Sequence, residues 1–372
     1  MIGNRATMAT TEGTGRYWER LSSETTGGHF RQCNGWTMSS IGLGTYLGES
    51  DDRTDDLYRK SIVRAVELGV NVIDSAINYR FGRSERSIGA ALADLVRAGI
   101  ASRDELVVAT KAGFLSFDGS RPSNPHEYLE KTYLESGLLE PEDIAAGSHA
   151  MAPRYLEHQL ERSLENLGLD VINIFYIHNP ETQLEEVSRE VFFERLRSAF
   201  EFFETAVSDG KIQTCSTATW NAYRTLRETR GFVSLSEVVQ CARDVAGGGH
   251  HFGVVQLPYN LHMREAYGHR NQSIGERALS ALEAAAELGV TVMASASMHQ
   301  SRLSRNLPES VTRHLPNLET DSQRAIQFVR STPGITTALV GMSQPEHVEE
   351  NLYLSKVGPL SPEAIQAMFN AA

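Results

Sequence analysis

Short apolar runs bounded by glycine or polar residues recur along this chain. Each is separated from the next by a stretch whose apolar residues fall at helical spacing. The strand-like runs lie near residues 40, 70, 106, 171, 212, 253, 290 and 336. Between them, residues 55–68 put Tyr58, Ile62, Ala65 and Val66 on one helical face, and residues 153–167 do the same with Leu156, Leu160, Leu164 and Leu167. Further helices are predicted over 83–97, 187–208, 234–245, 278–288 and 323–330, and from Pro345 onward. Eight strands alternating with helices of crossover length predict an α/β protein built as one (β/α)8 TIM barrel, with an open doubly wound sheet as second choice.

Two stretches do not fit the alternation. Residues 1–28 are rich in Thr, Ser, Gly and charge without period, and are expected to be a flexible extension, leaving 29–372 as the barrel domain. Residues 112–152, punctuated by Pro122, Pro125 and Pro141, are too long for an ordinary connection after the third strand. They are expected to hold a short helix near 126–136 and to serve either as a lid over the barrel mouth or as a surface ornament.

Composition narrows the function classes. The 372 residues carry a net charge of −12, from 35 basic and 47 acidic side chains, which argues against a nucleic-acid partner. An anionic cofactor would need local basic groups or backbone N–H donors. Cys33, Cys215 and Cys241 are sparse and form no CxxC pair, so a reducing, cytoplasmic setting is expected. No apolar run approaches the ~18 residues of a membrane span, and the N-terminus has no apolar leader core. Oligomeric state leaves no mark on the pattern.

Four strands end in residues that a buried strand would not choose: Asp74, Lys111, His178 and Gln256. In a barrel the C-terminal strand ends share one mouth, and Tyr79, five residues past Asp74, can lean into it. The segment AVELGVNVIDSA (65–76) has an echo in AAELGVTVMASA (285–296), where Ala294 stands opposite Asp74, so the unit does not need the carboxylate structurally. GxSxG and HExxH are absent, and His250–His251, His126 and His149 lack ligand spacing, so neither a serine nucleophile nor a metal is expected. His126, Tyr128 and His149 are expected to be exposed. A free tyrosine titrates near ~10. A neighbouring ammonium lowers that value and a carboxylate holds the ammonium. Asp74, Lys111 and Tyr79 therefore suit a tuned proton donor, and His178 suits the orientation of a substrate oxygen while hydride reaches a carbonyl carbon. The GLG of residues 42–44 serves either a tight turn or a close approach to a cofactor.

The segment DSAINYRFGRSE resembles the Asp-x-Ala-x-x-Tyr-Gly-x-Ser-Glu motif of the aldo/keto reductase superfamily, and the likeness extends over about residues 39–356. The resemblance implies a (β/α)8 barrel and reversible NAD(P)-dependent reduction of an aldehyde or ketone, with Asp74, Tyr79, Lys111 and His178 as the catalytic tetrad. It places Gly44 and Thr45, from GLGTY, beside the nicotinamide ribose and Gln256, from VVQLPYN, on the carboxamide. Through GMSQPEHVEENL it puts Gly341, Ser343, Gln344, Glu350 and Asn351 at the adenosine. Departures are plain. Arg80 follows the tyrosine where the family has glycine. Ala218 and Thr219 replace a Ser-Asn pair, Thr219 keeping one hydrogen bond to the cofactor, and Ser295 replaces a stacking tyrosine. Gln344 and His347 stand where a basic residue often meets a 2′-phosphate, so NADP is expected by family habit and NAD nearly as well. Two other readings accompany the reductase: a nucleotide-binding sensor with little or no turnover, and a cofactor-assisted isomerisation. The substrate itself is not legible.

Overall fold

The computed structural model describes residues 8–370. Eight parallel strands close into a barrel: β1 (Ile41–Gly44), β2 (Val72–Asp74), β3 (Val107–Ala112), β4 (Ile172–His178), β5 (Ile212–Ala218), β6 (Phe252–Pro258), β7 (Thr291–Ser295) and β8 (Thr337–Gly341). Their order runs β7-β8-β1-β2-β3-β4-β5-β6, with β6 returning to β7. Helices α1 (Asp52–Glu67), α2 (Arg83–Ala98), α3 (Pro153–Leu167), α4 (Arg189–Ser208), α5 (Leu235–Ala246), α6 (Ala281–Leu288), α7 (Asp321–Ser331) and α8 (Pro345–Leu352) cover the outside. Helix α1 buries one apolar stripe, with Tyr58, Ile62, Ala65 and Val66 all buried. Asp51 caps α1 by accepting from Thr54 N at 2.8 Å, so the helix begins three residues earlier than its apolar spacing suggested.

Pleat parity decides which residues face the interior. Val72, Val107, Ala109, Ile174, Tyr176, Val254, Met293 and Leu339 pack together inside the barrel. Counting on by two places Asp74, Lys111, His178, Gln256 and Ser295 inward at the top. Gly42 on β1 leaves room for its neighbours, since a Cβ there would meet Leu339 Cδ2 at 2.8 Å and Thr337 Cγ2 at 2.9 Å and those side chains would have to shift.

The echoed segments are one residue out of phase. Val72 faces inward, whereas Val292 belongs to the outer core with Ala294. The inward counterpart of Asp74 is therefore Ser295 rather than Ala294.

The N-terminal stretch departs from expectation. Residues 1–7 lie outside the described residues, but Thr11–Leu21 form a helix, with Thr10 accepting from Gly13 N at 2.9 Å. Tyr17 is buried and donates to Val70 O at 3.0 Å. Arg16 and Arg20 pair with Asp104 and Glu105 at 2.6 and 2.7 Å. A hairpin of Phe30–Cys33 and Trp36–Ser39 follows, and its Trp36 and Met38 plug the lower end of the barrel interior. Polarity hid this helix because only Tyr17 and Leu21 carry its apolar contact. Tertiary pairing supplies the rest.

The insertion after β3 holds a short helix, Pro125–Leu129, continued by one wide turn, Glu130–Leu134. It has a small core of its own around Tyr133, Leu139 and Ala150, shared with Tyr155 of α3. Only Phe114 of this stretch lines the cavity at the barrel mouth.

Candidate active site

A cavity of about 790 Å³ opens at the C-terminal ends of the strands, lined by residues that run from Gly44 and Asp74 to Asn351. At its floor Lys111 Nζ lies 2.6 Å from Asp74 Oδ1 and donates to Ser75 O at 2.6 Å. Gln256 Nε2 donates to the other carboxylate oxygen, Asp74 Oδ2, at 2.8 Å. Burial raises the Asp74 carboxyl and lowers the Lys111 ammonium, and their contact opposes both shifts. Asp74 is met by Lys111 and Gln256, and Lys111 by Asp74 and Ser75, so neither group of the pair is buried without a partner.

Tyr79 stands over this pair. Lys111 Nζ is 4.9 Å from the centre of its ring, and the His178 ring meets it edge-on at 5.8 Å. The Tyr46 ring also meets it edge-on, at 4.9 Å. The expected acidification of Tyr79 is not found. Burial, then the negative charge of Asp74, raises its phenol well above the ordinary value. Burial is the leading cause, and Lys111 directs its hydrogen bonds to Asp74 and Ser75 rather than to the phenol. His178 is pushed well below the usual histidine range, first by burial and then by Lys111, and is therefore a neutral imidazole. Its Nδ1 is buried without a hydrogen-bond partner.

Arg80 explains its own oddity. Its backbone is left-handed, φ 49 and ψ 32, a conformation that favours glycine. The side chain turns away from the cavity, pairs with Asp55, donates to Glu49 O at 2.8 Å and lies 5.3 Å over the Tyr58 ring.

A family model described as "Aldo/keto reductase family" matches residues 40–306. The chain belongs to the aldo/keto reductase family. It is 28% identical over 191 residues to an NADH-specific methylglyoxal reductase of Escherichia coli, an alignment spanning 50% of each protein. It is 22% identical to a putative voltage-gated potassium channel subunit beta of Schizosaccharomyces pombe, over 90% of this chain and 89% of that one. Among solved structures, an aldo/keto reductase from Klebsiella pneumoniae in complex with NADP and acetate superposes with a TM-score of 0.61 at 19% identity, covering 90% of this chain and 92% of that one. A glycerol dehydrogenase from Gluconobacter oxydans gives 0.64 at 19%, over 93% and 95%. These superpositions bear out the TIM barrel.

The residues expected at a cofactor divide in two groups. Gly44, Thr45, Asp74, Thr219, Gln256, Gly341, Glu350 and Asn351 all line the cavity, as does His347. Ser343 and Gln344 stand outside that lining. Thr45 is fully buried and donates to Ser75 Oγ at 2.9 Å, so its hydroxyl is already engaged. Thr219 Oγ1 and Asn351 Oδ1 are buried polar atoms without a partner, on a cavity whose volume lies in the range of small-molecule and cofactor sites. A free hydroxyl and a free amide oxygen on the cavity wall fit a nicotinamide cofactor, whose carboxamide and hydroxyl groups both donate and accept. Gln256 is placed to steady Asp74 with its amide N–H, a role the strand-end position alone did not reveal.

The segment after β7 went unread in the sequence. Met298, Ser301, Ser304 and Arg305 line the cavity, and Ala296, His299, Gln300, Ser301 and Asn306 all have positive φ, between 45 and 68. Arg305 is exposed and is the cavity's guanidinium. No apolar period marks this stretch, so sequence pattern alone does not single it out. Among the described residues no group of three or more metal-ligating side chains converges, and no helix is long and apolar enough to cross a membrane.

Proposed function

We propose that this protein is an NAD(P)-dependent oxidoreductase that interconverts an aldehyde or ketone with its alcohol, acting on a small molecule in a cytoplasmic setting. The carrying observation is the meeting of Tyr79, His178 and the Lys111–Asp74 pair at one end of a single cavity. Gly44, Thr219, Gly341, Glu350 and Asn351 would hold the nicotinamide dinucleotide, which supplies hydride to the carbonyl carbon when bound. NADP is the first expectation. Arg305 is a local cation for its phosphates in a chain of net charge −12.

The residues' own work follows from their states. Neutral His178 donates one N–H to the carbonyl oxygen and adds no charge to it. Tyr79, kept fully protonated by its raised pKa, gives up the phenolic proton as the oxygen becomes an alkoxide. Such an alkoxide is about as basic as hydroxide, whose conjugate acid titrates near ~16, so the transfer is downhill even from a buried phenol. Lys111 acts after this step: its ammonium, 4.9 Å from the ring centre, stabilises the phenolate once it exists. Asp74 keeps that ammonium charged. In the oxidative direction the same groups run in reverse.

A panel of aldehydes and ketones with NADPH and with NADH tests this reading. Consumption of reduced cofactor with formation of alcohol supports it, and binding of cofactor without consumption across the panel contradicts it. That second outcome defines the alternative, a nucleotide-binding sensor with little or no turnover. Ala218 and Ser295, where the family's nicotinamide contacts are lost, favour it, as does the channel-subunit name of the fission-yeast relative.

A further inference from the structure

His149 is fully buried, though it comes from the long insertion and shows no sequence sign of burial. Its Nε2–H donates to the backbone carbonyl of His178 at 2.7 Å. The tautomer follows from the other nitrogen: the Gln183 amide donates to His149 Nδ1 at 2.9 Å, so the ring proton sits on Nε2. Gln183 also donates to His149 O at 3.1 Å, and its own oxygen accepts from Arg195 of α4. Arg195 in turn donates to Glu142 O at 2.6 Å, back in the insertion.

The approach of the His149 ring to the His178 carbonyl depends on Gly113. Its φ is +145, and a Cβ there would stand 2.7 Å from His149 Nε2 and 2.9 Å from His178 O. Ala150 N donates to Gly113 O at 2.9 Å, which pins the insertion's return to the end of β3. Phe114 then lies edge-on to both rings, 5.2 Å from His149 and 5.1 Å from His178. The His178 ring has no partner on Nδ1, so its aim into the cavity is set by its backbone and by packing alone.

We propose that His149 is a positioning residue for the reaction: through its hydrogen bond to the His178 carbonyl, the insertion of residues 113–152 fixes the direction of the imidazole that meets the substrate oxygen. The insertion is thus a brace behind the site rather than a cover over it. The inference rests on the reductase reading of the cavity. Misplacement of a catalytic group by ~1 Å costs on the order of 100-fold in rate, and a lost anchor behind His178 falls within that range.

The test compares H149L and H149Q in the full chain, the glutamine keeping an N–H donor at similar reach. Expected are a loss of about 30-fold in kcat for H149L, cofactor binding within about twofold of wild type, and recovery by H149Q to within about fivefold. In an H178A background H149L should cost nothing further, because a residue acting only through His178 cannot be lost twice. Unchanged kcat in H149L, or the same fractional loss with and without His178, overturns the proposal. If H149L does not fold, Q183L, which removes the amide that fixes the His149 tautomer, is read by the same criteria. If wild type consumes no cofactor with any carbonyl, the reductase reading has failed. NMR then decides this inference independently: displaced His178 ring resonances in H149L but not H149Q uphold it, and unmoved resonances overturn it.

Discussion

Lys111 Nζ sits 4.9 Å from the centre of the Tyr79 ring while directing its hydrogen bonds to Asp74 and Ser75. The ammonium is therefore placed to stabilise a phenolate, not to create one in the resting protein. Tyr79 should stay protonated through the alkaline range, and kcat/KM for carbonyl reduction should show no Tyr79 ionisation between pH 7 and 9. A pH–rate profile checks this, together with the phenolate absorbance of the resting protein. A phenolate signal appearing within that range would contradict it.

Removing one ion of the buried pair should cost more than removing both. K111M leaves the Asp74 carboxylate uncompensated, for a loss of about 3–5 kcal/mol. D74N/K111M should recover more than half of that, because the buried charge is gone. Urea unfolding of the three proteins measures the difference, and a double variant no more stable than K111M would contradict the account.

Arg80 holds a left-handed backbone where glycine is at ease, and offsets it with its buried contacts to Asp55 and Glu49. R80A loses the contacts and keeps the strain, whereas R80G loses the contacts and relieves it. R80G should therefore be more stable than R80A by about 1 kcal/mol. Equal denaturation midpoints would contradict this.

How much of this was legible in the sequence follows from these residues. The eight strands and the inward strand ends Asp74, Lys111, His178 and Gln256 could be read because period and strand-end polarity are local signals. The compensated state of Lys111 could not, because it depends on Ser75 and Asp74 meeting one nitrogen. The N-terminal helix was hidden by its few apolar residues, and His149 by an insertion without period. The segment 65–76 misled, since its echo matches in letters but runs one residue out of phase in the pleat.

His29 gives a pH-dependent test of the barrel's lower end. It is buried, donates from Nε2 to Gly69 O at 2.9 Å and is pushed down to about 3, first by burial. Its folded pKa lies below the unfolded value. The stability it contributes as a neutral group is therefore present above about pH 6.5 and is lost as pH falls towards 3. Wild type should lose about 1.4 kcal/mol per pH unit to this group below that point. H29Q has no such group, so the stability gap between wild type and H29Q should narrow by that amount per unit between pH 6 and 5. A constant gap would contradict the assignment.

The central claim is that Tyr79 delivers the proton. The Y79F variant tests it most directly, with turnover and cofactor affinity measured on the same preparation. The account predicts a loss of carbonyl reduction of 100-fold or more, on the order of a general acid's whole contribution, with cofactor affinity within about twofold of wild type. A Y79F protein that reduces carbonyls at the wild-type rate would contradict it.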